Sequence, residues 1–193
     1  MPPASTYDLE YYTEINNSEL PQAYRLFEIL NQMYNPKRVI DVGCATGLYL
    51  KPFYEAGIDV EGVDYAPDSI DDSIRQIPKE LIHIADITKD KLKIKPANLS
   101  ICLEVLEHIP ESGALKAVKY LCSTSKIIIF SAAQVGQGGR GHINCQPKYY
   151  WLEKFWNNNY VEDVVATKKI VDFMSQGYHM GWLTNNLVVF IKR

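Results

Sequence analysis

Short apolar runs alternate along the chain with longer segments in which apolar residues recur at helical spacing. Alternation of this kind predicts a parallel sheet with helices on both faces. The runs at 98–103 and 125–131 are nearly continuous in apolar residues, which is typical of central strands buried on both sides. In chain order, we predict strands at 37–42, 58–63, 81–84, 98–103 and 125–131, and helices at about 47–56, 67–76, 111–122 and 147–158.

The two ends of the chain depart from this alternation. Residues 21–34 carry apolar side chains three and four positions apart, which predicts a leading helix with Ser18 as its N-cap and a stop at residues 35–36. Near the other end, residues 160–166 and 187–191 predict two strands with no helix between them. An antiparallel pair of strands at the sheet edge would account for that pattern.

The length of 193 residues fits one domain, because domains usually have about 100 to 200 residues. We expect residues 1–36 to form a helical segment that caps the bound ligand. Residues 37–166 would then form the ligand-binding core, and residues 167–193 the edge strands with a candidate substrate lid.

Composition and charge narrow the function classes. Hydrophobic residues make up 47% of the chain, charged residues 22%, and the formal net charge is −3, so no basic surface for nucleic acid is indicated. No apolar run approaches the ~18 residues that cross a bilayer. The first residues also lack the basic and then apolar pattern of a signal peptide. We therefore expect a cytoplasmic protein without nucleic-acid or membrane partners. The sequence carries no signal for the oligomeric state.

The cysteines indicate reduced thiols rather than disulfides or a metal site. None of the four belongs to a C-x-x-C pair or to the histidine spacings of a structural zinc site. We accordingly expect no bound metal. The cysteines are Cys44, Cys102, Cys122 and Cys145.

The turn after the first strand carries the most specific signal, in residues 39–47, which read V-I-D-V-G-C-A-T-G. Gly43 and Gly47 allow a tight turn and a close approach of the backbone to a ligand. A dinucleotide-binding loop needs G-x-G-x-x-G, but Ala45 and Leu48 stand at the second and third glycine. Asp41 would repel a diphosphate and would suit an ammonium group. The loop thus disfavours a nicotinamide-dependent oxidoreductase and favours a nucleoside with an amino-acid tail.

Two further acids end the next two predicted strands. Asp64 is placed where a carboxylate can accept hydrogen bonds from both hydroxyl groups of a ribose. Asp86 is placed to accept from the exocyclic amine of a base, and Tyr65 and Ile87 offer apolar surface to its ring. Asp86 followed by Thr88 is also a common turn former, and that alternative stays open.

Residues 41–47, Asp64, Asp86 and the segment 104–109, which reads E-V-L-E-H-I, together resemble class I S-adenosylmethionine-dependent methyltransferases of the small-molecule branch often called type 11. The likeness spans about residues 37–166. It implies a Rossmann-like, doubly wound α/β sheet of seven strands in the order 3-2-1-4-5-7-6, mostly parallel with an antiparallel edge strand and helices on both faces. It also implies methyl transfer from S-adenosylmethionine to a small-molecule or sugar-like acceptor, with oxygen favoured.

The resemblance also implies roles for individual residues. Ala45 departs from the glycine that the family has more often at that position. The implied cofactor contacts are the methionine tail for Gly43, Ala45 and Gly47, the ammonium group for Asp41, the ribose for Asp64, the adenine for Tyr65, Asp86 and Ile87, and the cofactor's outer side for Glu104.

Methyl transfer to oxygen needs alignment and a base. His142 lies on a long glycine-containing loop after the fifth strand and is the first candidate for the base, with His108 as its competitor. Arg140 on the same loop is a candidate for binding an anionic group of the substrate, as are Tyr178 and Trp182 for lining a substrate lid. These aromatic residues could equally pack as core. A non-catalytic protein that only binds S-adenosylmethionine is the alternative function.

Overall fold

The computed structural model describes residues 2–3, 6–66, 71–90, 92–176 and 180–193. Its strands are β1 (Arg38–Val42), β2 (Asp59–Asp64), β3 (Ile82–Ile84), β4 (Leu99–Leu103), β5 (Ile127–Ser131), β6 (Tyr160–Glu162) and β7 (Val188–Lys192). Its α-helices are α1 (Leu9–Tyr34), α2 (Lys51–Glu55), α3 (Glu111–Thr124), α4 (Lys148–Trp156), α5 (Val164–Met174) and α6 (Gly181–Asn186). Short 3-10 turns lie at Lys79–Leu81 and Leu106–His108.

The seven strands form one sheet in the order β3-β2-β1-β4-β5-β7-β6. β7 runs antiparallel to both β5 and β6, and the other neighbouring pairs are parallel. The predicted Rossmann-like sheet and its antiparallel edge strand are therefore confirmed. The carboxyl ends of β1, β2 and β4 lie at the same edge of the sheet, which is where open α/β sheets bind ligands.

The central strands are mostly apolar because helices cover both faces of the sheet. Along β1, Val39 packs into the apolar cluster that includes residues of α1, α2, α5 and α6, whereas Ile40 packs into the cluster with α3 and α4. In the second cluster, Phe155 of α4 stacks on Phe190 of β7 with 3.8 Å between ring centroids. Alternate residues of one strand thus face two separate cores, which explains the continuous apolar runs.

The leading helix is longer than the apolar spacing predicts. It begins at Leu9, where the side chain of Asp8 accepts a hydrogen bond of 3.0 Å from the backbone N–H of Tyr11. Ser18 is therefore not the N-cap, and its hydroxyl donates to the carbonyl of Glu14 inside the helix. The prediction failed because the first half of α1 covers a cavity rather than the sheet, so that half lacks a continuous apolar stripe.

The chain between β6 and β7 corrects the prediction of two strands without a helix between them. Strand β6 ends at Glu162, and Asp163 caps α5 by accepting from the N–H of Ala166. Residues 164–166 are consequently helical, and α6 follows before β7. Asp163 is a sequence signal for this helix start that the strand interpretation overlooked.

The predicted helices between the strands have mixed outcomes. Those at 111–122 and 147–158 are confirmed as α3 and α4, whereas the one at 47–56 shortens to α2 because residues 45–50 form turns. Of the predicted helix at 67–76, residues 67–70 lie outside the described residues and 71–76 form turns. All four cysteines are free thiols. No described helix is both long and apolar enough to span a membrane.

A buried tyrosine connects the sheet edge to α3. The hydroxyl of Tyr160 lies 2.8 Å from the carbonyl oxygen of Cys122 and 2.5 Å from that of Ser125. We expect Tyr160→Phe to lower the free energy of unfolding by about 1 to 2 kcal/mol, because both buried carbonyls lose a donor. Urea denaturation measures this change. Tyr149→Phe, at a side chain that is 71% exposed, should leave stability unchanged, and an equal loss in both variants would contradict the assignment.

Candidate active site

A cavity of about 210 Å³ opens at the carboxyl ends of β1, β2 and β4, under the first half of α1. Eight of the predicted site residues line it besides Trp182 of α6. Gly47, Asp86, Arg140 and His142 are not among the lining residues, and Tyr178 lies outside the described residues. The eight are Asp41, Gly43, Ala45, Asp64, Tyr65, Ile87, Glu104 and His108.

The turn after β1 depends on glycine for reasons internal to the protein. Gly43 has a φ of +81°, and a Cβ at this position would lie 2.2 Å from Cγ2 of Val105. Gly47 has a φ of +84°, and its Cβ would lie 2.6 Å from Cγ1 of Ile77. From the sequence, these glycines were expected to permit both the tight turn and the close approach of a ligand. The structure shows that neighbouring side chains already fill the space of both Cβ atoms.

The turn holds Asp64 in a fixed orientation. One carboxylate oxygen accepts from the N–H of Ala45 at 2.8 Å, and the other accepts from the N–H of Ala66 at 2.8 Å. Burial raises the pKa of Asp64, and these hydrogen bonds oppose that rise. Because a carboxylate has about four acceptor positions, each oxygen can still accept from a ligand hydroxyl.

Asp41 lies deeper in the same cavity and is 3% exposed. Burial, followed by the charge of Asp64, raises the pKa of Asp41 to about 8. The ligand-free protein therefore holds Asp41 mainly in its protonated form at neutral pH. A cationic group in the cavity would favour the carboxylate instead.

Asp86 is engaged by its own turn. It is 7% exposed, and its Oδ1 accepts from the backbone N–H and the hydroxyl of Thr88. The ammonium of Lys89 lies 2.9 Å from Oδ2. Although burial raises the pKa of Asp86, the bonds from Thr88 and Lys89 bring it below its ordinary value. These contacts are those expected if Asp86 forms a turn with Thr88. Its neighbours Ala85 and Ile87 line the cavity.

Glu104 follows β4 in a left-handed conformation, with a φ of 53°. Its N–H donates to the hydroxyl of Ser131 at 3.1 Å, and its carboxylate accepts from the side-chain amide of Asn186 at 3.2 Å. A non-glycine residue in this region is strained, and such strain is common at functional sites. The strain here directs the Glu104 side chain to the cavity wall.

The two candidate bases lie next to each other, but only His108 reaches the cavity wall. The ring of His142 packs edge-on against His108, with centroids 4.9 Å apart, and its Nε2 lies 3.9 Å from Oε1 of Glu107. Burial lowers the pKa of His108 to about 4, so this imidazole is neutral at pH 7. Burial, followed by the charge of Glu104, raises the pKa of Glu107 to about 8.

The first turns of α1 and the loop after β5 meet at the cavity entrance. The hydroxyl of Tyr7 lies 2.9 Å from Nδ1 of His108. Arg140, the predicted anion-binding residue, donates instead to the carbonyl of Thr6 at 3.2 Å and lies 3.4 Å from the carboxylate of Asp8. Its guanidinium also lies over the ring of Tyr11. Arg140 therefore holds the N-terminal segment in place.

Sequence reasoning missed one further acid in the cavity, Glu19 of α1. It accepts a hydrogen bond of 3.0 Å from the hydroxyl of Tyr49, and burial raises its pKa to about 7. Tyr12, Ile15 and Glu19 are spaced three and four positions apart, so they share one face of the helix. That spacing was the signal that could have indicated a cavity-facing side.

A family model described as Methyltransferase domain matches residues 18–157. The chain belongs to the methyltransferase-domain family. The Ubiquinone biosynthesis O-methyltransferase of Idiomarina loihiensis is 36% identical to it over 88 residues, which is 41% of this chain and 35% of that protein. The protein of the same name from Paraburkholderia phymatum is 28% identical over 101 residues, 49% of this chain and 44% of the relative. The chain thus spans less than half the length of these curated relatives.

Solved structures share the fold of this methyltransferase-domain protein. A TehB-like SAM-dependent methyltransferase from Corynebacterium glutamicum superposes with a TM-score of 0.67 at 19% identity, covering 99% of this chain and 100% of that chain. The magnesium protoporphyrin IX methyltransferase of Synechocystis, solved with bound SAH, gives 0.65 at 15% identity, with 91% and 84% covered. At these identities the likeness shows the class I methyltransferase fold alone.

The close approach at Gly43 is testable by substitution. We expect Gly43→Ala to destabilise the protein by about 2 to 4 kcal/mol, because the new methyl group must displace Val105 in addition to the strain of a positive φ. Gly57→Ala is the matched control, since Gly57 has a φ of +75° but open space around its Cβ; it should cost only about 1 kcal/mol. Equal losses in thermal denaturation would show that Val105 does not restrict the turn.

Asp41 makes the stability of the ligand-free protein depend on pH. Its pKa of about 8 in the folded state lies above the value of 3.8 for an ordinary aspartate, so stability falls as pH rises between these values. We expect Asp41→Asn to melt like the wild type near pH 4 and to be more stable by about 1 to 3 kcal/mol at pH 8. If the difference in stability between Asp41→Asn and the wild type stays constant from pH 4 to pH 8, the raised pKa of Asp41 is contradicted.

Proposed function

We propose that this protein transfers a methyl group from S-adenosylmethionine to a hydroxyl group of a small-molecule acceptor. The observation that carries the proposal is the cavity in which Asp41, the turn at Gly43 and Ala45, and the fixed carboxylate of Asp64 converge. A sulfonium nucleoside with an amino-acid tail has a cation at one end and a ribose diol at the other. The charges and acceptors of this cavity match both ends.

The lining residues fit that cofactor in position and chemistry. Asp41 would hold the ammonium group, and the turn at Gly43 and Ala45 would lie along the methionine tail. Asp64 would accept the ribose hydroxyls, because both its oxygens are oriented by backbone N–H groups. Tyr65 and Ile87 would enclose the adenine ring from the strand ends.

Two residues that were predicted to bind the cofactor do not line the cavity. Gly47 would act by permitting the turn, since it does not line the cavity. Asp86 stays a predicted acceptor of the adenine amine, with one constraint. Its Oδ1 already accepts two hydrogen bonds from Thr88, so the base would share this carboxylate.

Bound S-adenosylmethionine would supply a methyl group on a positively charged sulfur, and this group would pass to the acceptor oxygen while the electron pair of the broken S–C bond stays on sulfur. The acceptor hydroxyl must also lose its proton. His108 is the histidine on the cavity wall, and its ring is neutral because burial lowers its pKa to about 4. The low pKa makes it a weak base, so it would take the proton only as the C–O bond forms and the hydroxyl becomes strongly acidic. His142 would act through its contact with His108, and Tyr7 would fix the orientation of the ring.

The acceptor class rests on similarity and on the cavity wall. The curated relatives are named O-methyltransferases of ubiquinone biosynthesis, and one structural neighbour is a sugar N-methyltransferase from Streptoalloteichus. We therefore propose a phenolic or sugar-like acceptor, with Trp182 as an apolar contact and Glu104 beside the reacting groups. Substrate binding by Arg140 and by Tyr178, and the cytoplasmic location, stay predictions.

Calorimetric titration tests this function against its alternatives. We expect S-adenosylmethionine and S-adenosylhomocysteine to bind and a nicotinamide dinucleotide not to bind. An assay for S-adenosylhomocysteine over a panel of phenols and hydroxylated sugars then separates an enzyme from a protein that only binds the cofactor. Dinucleotide binding in place of the sulfonium compound would overturn the proposal.

Asp64 provides the sharpest variant. Asp64→Ala should weaken S-adenosylmethionine binding by roughly 1.5 to 3 kcal/mol, because hydrogen bonds to a charged acceptor are lost. Asp59→Ala is the matched control, since Asp59 lies at the opposite end of the same strand and pairs with Arg38. If both variants bind the cofactor as the wild type does, the ribose lies elsewhere.

A further inference from the structure

A group of metal-ligating side chains lies at the wall of the cavity. Glu107, His108 and His142 each offer one ligand atom, and these atoms lie within 4.8 Å of one another. Glu107 is fully buried, and both histidines are half-buried. We call these three residues the Glu-His-His cluster. His108 is the member that also lines the cavity.

The Nδ1 atom of each histidine already has a hydrogen-bond partner. Nδ1 of His108 lies 2.9 Å from the hydroxyl of Tyr7, and Nδ1 of His142 lies 3.4 Å from the carbonyl of Gln137. When these Nδ1 atoms carry the proton, each Nε2 has a lone pair for an ion. Nε2 of His142 faces Oε1 of Glu107 at 3.9 Å, while the ring of His108 also contacts the backbone of Gly141 and Glu104, so it would exchange such a contact for the ion. Metal-binding histidines are oriented in this way, by a hydrogen bond at the nitrogen that does not bind the ion.

Glu107 contributes a buried carboxyl group. Its Oε1 accepts a hydrogen bond of 3.1 Å from the N–H of Ala133, and a side-chain hydrogen bond links its carboxyl group to that of Glu104. The residue is 0% exposed. Two buried carboxyl groups side by side repel each other as carboxylates, and a bound cation would relieve that repulsion.

We propose that the Glu-His-His cluster binds a divalent transition-metal ion, with Zn²⁺ as the reference ion. Two imidazole nitrogens and one carboxylate oxygen form a ligand set typical of zinc and its neighbours rather than of magnesium. Tetrahedral bonds of about 2.1 Å place ligand atoms about 3.4 Å apart, so the side chains close inward when the ion binds. The expectation of no bound metal rested on the cysteines and their spacing to histidines, whereas the residues of this cluster come together only in the fold.

The consequence for the reaction rests on the proposed function. With three protein ligands, the fourth position stays open beside the cavity, where an acceptor hydroxyl can bind. The positive charge of the ion would lower the pKa of that hydroxyl, so its proton leaves to solvent. The two histidines would then be ligands rather than bases. This arrangement favours phenols and vicinal diols as acceptors.

The test uses the full chain freed of metal by a chelator. Calorimetric titration with Zn²⁺ should show one saturable equivalent, and Co²⁺ should give the visible absorption bands of a four-coordinate site. Glu107→Gln and His142→Ala should each weaken Zn²⁺ binding at least 100-fold. His83→Ala is the control, because this half-buried histidine lies on β3 and pairs with Glu61 instead, and the variant should bind Zn²⁺ as the wild type does.

Several outcomes would overturn the site. These are the absence of saturable Zn²⁺ binding, equal affinity in wild type and both cluster variants, or binding of Mg²⁺ in preference to Zn²⁺. If a variant does not fold, a second measurement on the wild type tests the site: Zn²⁺ must raise the melting temperature of the wild-type protein. Titration with S-adenosylmethionine in the presence of chelator separates the two claims: cofactor binding without metal binding refutes only the site, and the reverse refutes only the proposed function.

Discussion

The fold places buried carboxyl groups at the ends of adjacent parallel strands, and no lysine or arginine is among the described residues that line their cavity. Asp41 is the next-to-last residue of β1 and Asp64 is the last residue of β2, and the charge of Asp64 adds to burial in raising the pKa of Asp41. Such an arrangement is unfavourable in an empty protein, because neighbouring carboxylates in a medium of low dielectric constant repel each other. It becomes favourable when a ligand brings a cation and hydroxyl donors.

The rest of the site follows from holding these acids in place. The glycine turn after β1 supplies one of the two N–H groups that orient Asp64, that of Ala45, and Val105 from the β4 side packs against the turn where a Cβ would otherwise lie. Helix α1 then covers the opening, and Tyr7 at its start reaches His108. The cofactor wall and the histidine wall are therefore connected through the same N-terminal segment.

The sheet and its strand order could be predicted because they depend on periodic patterns and on short turns. Residues that act through periodicity, such as Val39 and Ile40, alternate between two cores as the sequence predicts. The start of α1 could not be placed by apolar spacing, because its first half faces a cavity. The cap at Asp8 is a local signal that only a search for caps would find.

Site residues at strand ends could be predicted from the sequence, whereas those on irregular loops could not. Asp41 and Asp64 are fixed by strand ends, so their positions follow from the sheet. His142 lies on an irregular loop, and its packing behind His108 depends on contacts with Gln137 and Glu107 that no periodic pattern encodes. The same irregular loop creates the Glu-His-His cluster, which is why spacing along the chain does not reveal it.

Proton release on cofactor binding tests the central claim most directly. Calorimetry of S-adenosylmethionine binding at pH 6.5, in two buffers of different ionisation enthalpy, measures the protons exchanged. Because the pKa of Asp41 is about 8 in the ligand-free protein, an approaching ammonium group should release close to one proton, and Asp41→Asn should lose that release. Binding without proton exchange in the wild type would contradict the account, since it would show that the cation does not meet a protonated Asp41.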